Sequence, residues 1–245
     1  VGCHLRRYIK LRIYGLYLSY SFICTPWGLI MDKIEGISFS ELKDSAYVKP
    51  LRMHFKQAGQ TKSWDILGVH DSVSILLFNE NSKCFVLVKQ FRPAVYFHSI
   101  PVDARRGKID TDKYPPSVAI TVELCAGIVD KNKSLEEIAC EEVLEECGYL
   151  VEPSHLEKIT TCRSGVGVTG GVQTMYFCKV TDDMKVSDGG GNPGEQEMIE
   201  VIDIPVSEAR SYLKADFVNS PAGLLFAFYW YFVNKCREID VISSG

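Results

Sequence analysis

Hydrophobic and polar positions change period several times along this chain, and the changes predict strands and helices in alternation. Residues 72–78 and 84–89 are short apolar runs joined by the polar segment 79–83, which predicts a hairpin of two central strands. Further strands are expected at 47–55, 122–126, 156–161, 173–180 and 198–204. Helices are expected at 134–147 and 207–214, and residues 224–235 are apolar most of the way round, which is typical of a buried helix. Because strands and helices intermix, the predicted fold class is α/β (α+β), with a mixed sheet between helices.

The helix expected at 134–147 carries the strongest chemical signal. Four glutamates stand within six residues of it: Glu141, Glu142, Glu145 and Glu146. Like charges at this spacing destabilise a helix, whereas a divalent cation that prefers hard oxygen ligands removes the repulsion. At about 100° per residue, the last three glutamates fall within roughly a third of the helix circumference and reach one site, while Glu141 lies at the margin. The alternative is a solvated acidic face.

Local signals mark both ends of this helix. Ser134 followed by Glu137 predicts a capping box at its beginning. Gly148 is the residue type expected where a helix ends. An apolar strand leads into the loop that precedes this helix. This context favours a specific binding site over a solvated acidic surface.

Composition narrows the possible partners. The chain has 245 residues, 46% apolar content and a net charge of −4, so nucleic acid is not expected as a partner. Nine cysteines form no CxxC pair, which indicates buried thiols in a reducing compartment, and we expect a cytoplasmic location. The five histidines show no metal-ligand spacing.

The first thirty residues differ from the rest, with four basic residues and no acidic one. We interpret residues 1–30 as a non-native or disordered extension, residues 31–240 as one domain and residues 241–245 as a tail. A membrane anchor or targeting segment in 13–30 is the alternative, although Pro26 and Gly28 interrupt the uncharged run, and a membrane partner is not expected.

The acidic segment resembles the signature of the Nudix hydrolases, which is Gly, five residues, Glu, seven residues, Arg-Glu, an aliphatic residue, any residue, Glu-Glu, any residue, Gly and an aliphatic or aromatic residue. Seven positions match: Gly127, Glu142, Val143, Glu145, Glu146, Gly148 and Tyr149. Two positions depart, because Lys133 replaces the first glutamate and Glu141 replaces the arginine. In the family this arginine helps to hold the loop and the helix of the motif together, so the departures put efficiency in doubt.

The resemblance continues outside this segment and implies a Nudix-type α/β/α sandwich with a small N-terminal β element. Residues 63–65, 70–73, 87–96, 121–127, 164–171 and 173–177 are similar to the branch that hydrolyses nucleoside diphosphate sugars. The implied reaction is hydrolysis of the pyrophosphate bond of UDP-glucose to UMP and glucose 1-phosphate. The implied cofactor is Mg²⁺, with Mn²⁺ as an alternative.

The resemblance also assigns roles to single residues. The metal ligands would be the carbonyl oxygen of Ala126 and the carboxylates of Glu142, Glu146 and Glu197. Glu145 ranks next to Glu142 and Glu146 as a ligand and is also a candidate catalytic carboxylate, and Glu195 would be the general base. A glycine-rich approach at 189–194 would let its loop close over substrate, although a solvated acidic loop is the alternative.

Three further residues are candidates for substrate binding. Arg92 would contact a phosphate, with a surface ion pair as the alternative. Glu123 would either contact the substrate or support a residue that contacts it. Trp64 would stack on the base of the substrate, with packing inside the protein as the alternative. The glycine-rich segment 164–171 would form a wall of the substrate pocket.

The strands of residues 31–70 would contribute to a homodimer, as related enzymes imply. The competing functions are an ADP-ribose pyrophosphatase and a catalytically silent Nudix binding module.

Overall fold

The computed structural model describes residues 7–13, 16–22, 33–43, 45, 48–192, 194 and 197–236, the first two ranges as backbone only. Its strands are β1 (Arg7–Ile13), β2 (Leu16–Phe22), β3 (Ser38–Phe39), β4 (Lys49–Gln57), β5 (Gln60–Gly68), β6 (Ser72–Asn79), β7 (Cys84–Phe91), β8 (Gly107–Lys108), β9 (Ile120–Glu123), β10 (Cys125–Ile128), β11 (Leu156–Arg163), β12 (Val172–Val180) and β13 (Glu200–Pro205). Its helices are α1 (Pro93–Ser99), α2 (Leu135–Cys147), α3 (Val206–Tyr212) and α4 (Ala222–Asn234).

A mixed sheet forms the centre of the molecule, with the strand order β1-β2-β13-β7-β6-β12-β11. The pairing of β6 with β12 is parallel, and the other pairings along this order are antiparallel. The hairpin of central strands expected at 72–78 and 84–89 is therefore confirmed as β6 and β7.

Helices cover both faces of this sheet because its central strands are apolar on both sides. In β6, Val73, Ile75 and Leu77 pack in the cluster under α2, which includes Ile138 and Val143. The alternate residues of β6 pack on the other face. These are Leu76 and Phe78, in the cluster that contains Phe228 and Tyr231 of α4. The expected α/β/α sandwich is confirmed.

The expected strand at 122–126 is wrong as a single strand, and the difference shapes the site. Strands β6 and β7 pair with each other only from Leu77 to Asn79 and from Cys84 to Val86, and beyond this they separate. The chain enters the gap, where β9 pairs with β7 and β10 pairs with β6. Residues on both sides of Leu124 therefore face the opening between two central strands.

Two other segments differ in detail from what their residue patterns suggest. The polar segment 99–117 is not one uninterrupted loop, because it includes β8 and two residues, Ile100 and Ile109, that are buried in a small third cluster. Helix α4 buries one stripe, but Phe226, Tyr229 and Val233 are 47%, 56% and 58% exposed, so it is not buried all round. No helix within the described ranges combines the length and apolar character needed to cross a bilayer.

Strands β1 and β2 lie inside the range interpreted as an extension. They form a hairpin, and β2 meets β13 at one residue pair, Ser21 with Asp203. The division into residues 1–30, 31–240 and 241–245 stays a prediction, and residues 1–6, 23–30 and 237–245 lie outside the described part.

Candidate active site

Helix α2 presents the glutamates from a well-defined beginning and end. The Ser134 hydroxyl accepts a hydrogen bond from the Glu137 N–H, and the Glu137 carboxylate accepts one from the Ser134 N–H, so the expected capping box is confirmed. Gly148 ends the helix with φ of 78°, and a Cβ there would lie 2.1 Å from the Ser187 carbonyl oxygen. A glycine is needed at this position both for its backbone angle and for the close approach of the chain.

The carboxylates of α2 face a cavity of about 310 Å³ that opens where β6 and β7 separate. Its walls contain five acidic side chains, two cations and several neutral groups: Ser72, Gln90, Arg92, Ala126, Gly127, Ile128, Asp130, Lys131, Glu142, Glu145, Glu146 and Glu197. The Glu142 side chain lies directly on Gly127, because a Cβ at Gly127 would be only 2.1 Å from the Glu142 Cδ. The first glycine of the segment therefore makes room for a glutamate of the helix.

Glu146 is the most buried of these carboxylates, with 3% of the residue exposed. Its Oε2 accepts a hydrogen bond of 2.9 Å from the Ala126 N–H. The pKa of Glu146 is raised to about 8, chiefly by burial and to a smaller extent by the negative charges of Glu142 and Glu197, while hydrogen bonds from Ala126 and the Cys125 thiol oppose the shift. At neutral pH this group holds a proton that a cation would displace.

Arg92 and Glu123 form a bidentate ion pair at the edge of the cavity. Nε and Nη2 of Arg92 donate to the two Glu123 oxygens, each at 2.7 Å, and the Thr121 hydroxyl donates to Oε1. Burial alone would raise the pKa of Glu123, but the Arg92 pair and Thr121 hold it below its ordinary value. Glu123 thus remains charged and fixes the guanidinium plane of Arg92, whose side chain is 43% exposed and lines the cavity.

The glycine-rich loop after residue 186 is attached to the end of α2. The N–H groups of Gly190 and Gly191 donate to the carbonyls of Glu146 and Glu145, at 2.9 and 3.1 Å. Gly191 has φ of 87°, and a Cβ there would lie 2.8 Å from the Glu197 Cβ. The loop therefore brings Glu197 to the same cavity as the α2 glutamates.

Among the candidates that the structure describes, Trp64 does not line this cavity. Trp64 is 57% exposed, and its Nε1 donates to the Gly167 carbonyl at 2.7 Å, so it links β5 to the 164–171 loop. A larger hollow of about 600 Å³ lies there, between the β4–β5 hairpin and Val168, with Asp65 as its one acidic lining residue. Because it contains none of the clustered glutamates, the chemistry belongs to the smaller cavity. Glu195 lies outside the described residues.

Sequence reasoning missed several lining residues, namely Ser72, Gln90, Asp130 and Lys131. Gln90 had a usable signal, since it lies on β7 two residues before Arg92, which directly follows the strand, and side chains along a strand alternate between its faces. Ser72 had none, because it reaches the cavity only through the separation of β6 from β7.

The donor set fits a hard divalent cation. Carboxylate oxygens are the ligands that Mg²⁺ and Mn²⁺ prefer. Burial is the main cause of the raised pKa of Glu146, and the smaller contribution from repulsion by Glu142 and Glu197 would fall when a cation enters. In the described part of the chain, no three acidic, histidine or cysteine side chains already converge on one point.

The two positions that depart from the Nudix signature contact each other. Lys133 Nζ donates to Glu141 Oε1, and Lys131 Nζ lies 3.3 Å from Glu141 Oε2. The Lys133 hydrogen bond holds the pKa of Glu141 below its ordinary value, with a smaller contribution from Lys131. The negative charge of Glu141, at the margin of the acidic arc, is thus offset by the two lysines of the preceding loop.

The spacing from Gly127 to Gly148 now has a structural meaning, since a side chain at either glycine would collide with the surroundings of the acidic helix. This segment, on a mixed sheet covered by helices, defines a Nudix hydrolase, and the chain belongs to that family. No family model matches it.

Individual relatives are closely similar. The chain is 42% identical over 212 residues to the uridine diphosphate glucose pyrophosphatase of Bos taurus, covering 82% of this chain and 96% of that protein. It is 40% identical to the enzyme of the same name from Mus musculus, with the same coverage. A GDP-mannose pyrophosphatase of Cronobacter sakazakii is 28% identical over 155 residues, which cover 63% of this chain and 70% of that protein.

Proposed function

We propose that this chain hydrolyses the pyrophosphate bond of nucleoside diphosphate sugars, with UDP-glucose as the preferred substrate and UMP and glucose 1-phosphate as products. The observation that carries the proposal is the cavity in which Glu142, Glu145, Glu146 and Glu197 face Arg92. Its combination of clustered carboxylates and a fixed guanidinium suits a cation-neutralised diphosphate. The names of the two mammalian relatives support uridine diphosphate glucose as the substrate.

The residues have separate roles in this reaction. Glu142, Glu146 and Glu197, with the Ala126 carbonyl, would hold Mg²⁺ or Mn²⁺, and Glu145 would assist as a neighbouring carboxylate. A bound divalent cation offsets the phosphate charge and lowers the pKa of a water molecule. Arg92 binds a phosphate oxygen while Glu123 keeps its guanidinium plane in place. Glu195 accepts a proton from the attacking water. The oxygen of this water bonds to phosphorus while the bridging P–O bond breaks.

The test is a substrate panel on the full chain with Mg²⁺. UDP-glucose, UDP-galactose, GDP-mannose, ADP-ribose and ADP-glucose are incubated separately, and release of nucleoside monophosphate is measured. Fastest release from UDP-glucose supports the proposal. Preference for ADP-ribose would support the rival pyrophosphatase, and no release from any substrate would support the silent binding module.

Two variants make this panel specific. Glu146→Gln removes the charge of the most buried carboxylate and is expected to abolish turnover while the protein stays folded. Glu80→Gln is the control, because Glu80 is a partly exposed acid that directly follows β6, at the end of the strand away from Ser72. Equal turnover in both variants would show that Glu146 is not part of the active site.

A homodimer is part of the proposal, and the β4–β5 hairpin supports it. Leu51, Met53 and Trp64 share one face of this hairpin and are 59%, 53% and 57% exposed. An isolated two-stranded hairpin is at best marginally stable in water, so an apolar face of this kind needs cover. A second copy of the chain would supply it.

Light scattering on a sizing column tests the dimer. Met53→Glu is expected to give a monomer, because it places a charge on the apolar face. His54→Glu is the control, since the next residue of the strand points to the other face. A parent protein that elutes as a monomer would rule the dimer out.

A cytoplasmic location completes the proposal. The cysteines of the described ranges form no disulfide, and Cys125, Cys147 and Cys178 are buried. This is the usage expected where thiols stay reduced. Imaging of a tagged full chain in cells would test it, and secretion would contradict it.

A further inference from the structure

The two departures from the Nudix signature are not independent losses. We propose that Lys133 and Glu141 form a charge-exchanged clamp between the loop at 129–133 and helix α2, which positions Glu142 over Gly127 for cation binding. The inference rests on the proposed function, because it assigns positioning residues to the same site. The departures at Lys133 and Glu141 then no longer argue for a catalytically silent module, because the two positions still attract each other, with their charges reversed relative to the signature.

The contact crosses from the loop to the middle of the helix. Lys133 directly precedes the Ser134 cap, and Glu141 lies two turns further along α2, where it accepts from Lys133 and approaches Lys131 at 3.3 Å. Either departure alone would bring like charges together. With only Glu141 changed, the glutamate of the signature at 133 would face Glu141, and with only Lys133 changed, the arginine of the signature at 141 would face Lys133. Only the exchange of both signs preserves attraction.

The clamp is close enough to the site to orient it. Glu141 is the neighbour of Glu142, whose side chain fills the space above Gly127. The same loop begins where β10 ends, and the Val129 N–H donates to the Asp71 carbonyl at 2.8 Å. One end of the loop is thus fixed by the sheet, and the clamp fixes the other end to the helix that carries the glutamates.

Stability alone does not account for this pair. The side chains of Lys133 and Glu141 are 45% and 32% exposed, and ion pairs of this exposure contribute little to folding. We therefore expect its loss to change cation binding and loop protection far more than the melting temperature.

The test is a charge-exchange cycle on the full chain: Lys133→Glu, Glu141→Lys and the double variant. The readouts are Mn²⁺ affinity by electron paramagnetic resonance without substrate, hydrogen exchange of the 129–133 amides, and melting temperature. Both single variants are expected to bind Mn²⁺ on the order of tenfold more weakly and to exchange faster, and the double variant to recover both properties.

The sign of the single effects separates positioning from simple electrostatics. If only net charge near the site mattered, Lys133→Glu would strengthen Mn²⁺ binding and Glu141→Lys would weaken it. Opposite effects of this kind would overturn the inference, and so would single variants with unchanged loop exchange. Loss of melting temperature in proportion to loss of affinity would also overturn it, because it would indicate a merely structural pair.

A matched ion pair far from the cavity serves as the control. Lys179 and Glu80 are 3.2 Å apart, similarly exposed, and lie at the opposite end of β6 from Ser72. Exchanging their charges should leave Mn²⁺ affinity and loop exchange unchanged. If the parent chain fails to hydrolyse any nucleotide sugar, the proposed function fails, while loop exchange still reports on the clamp.

Discussion

The buried carboxylate of Glu146 makes cation binding depend on pH in a predictable way. Its pKa is raised to about 8 in the cation-free protein, chiefly by burial. A group with this pKa is about nine-tenths protonated at pH 7 and about half protonated at pH 8. A cation needs the ionised form, so each ion bound at pH 7 should release about 0.9 proton.

The same competition sets the size of the affinity change. Because the ionised fraction of Glu146 rises from about a tenth to about a half, apparent affinity for Mg²⁺ should increase about fivefold between pH 7 and pH 8. Below pH 7 it should fall about tenfold for each pH unit. Glu142 and Glu197 help to raise this pKa, so their partial neutralisation by the cation favours release of the proton.

Calorimetry measures both quantities directly. Mn²⁺ or Mg²⁺ is titrated into the full chain at pH 7 in two buffers that differ in ionisation enthalpy, and the difference in heat gives the protons released. Carboxyl carbon resonances of the cation-free protein provide an independent titration curve. Proton release near zero at pH 7, with every glutamate titrating in the ordinary acidic range, would refute the reasoning.

The remaining predictions concern the same cavity. Glu146→Gln should raise the melting temperature of the cation-free protein far more at pH 8.5 than at pH 5, because the raised pKa of Glu146 lowers stability progressively as the pH rises from the ordinary value of 4.5 to about 8; equal shifts would contradict this. Gly127→Ala places a methyl 2.1 Å from the Glu142 Cδ, so calorimetry should show at least about tenfold weaker Mn²⁺ binding with little change in stability, since the overlap displaces a flexible side chain. Arg92→Met leaves Glu123 without its cation and should lower the free energy of unfolding by about 1–3 kcal/mol at pH 7 in urea titrations. That loss should shrink as pH falls through the lowered pKa of Glu123, and a pH-independent loss would count against the ion pair.

The sequence alone determined the parts of the site whose signals are local. The capping box of Ser134 and Glu137, the glycine at 148 and the arc of Glu142, Glu145 and Glu146 all follow from residues within a few positions of one another. Hydrogen bonds of a helix join neighbours in sequence, so its beginning, end and faces can be inferred from spacing. The central hairpin of β6 and β7 was equally accessible, because an apolar run, a turn and a second run are consecutive.

Tertiary structure decided which distant groups meet. Arg92 pairs with Glu123, 31 residues later, only because β7 and β6 separate and admit β9 and β10 between them. Trp64 finds its partner in Gly167, 103 residues away, so it does not face the acidic cavity. The pairing of Lys133 with Glu141 converts two apparent defects into one contact. Such contacts depend on how strands diverge and loops return, and these outcomes follow from packing of the whole core rather than from the period of any one segment.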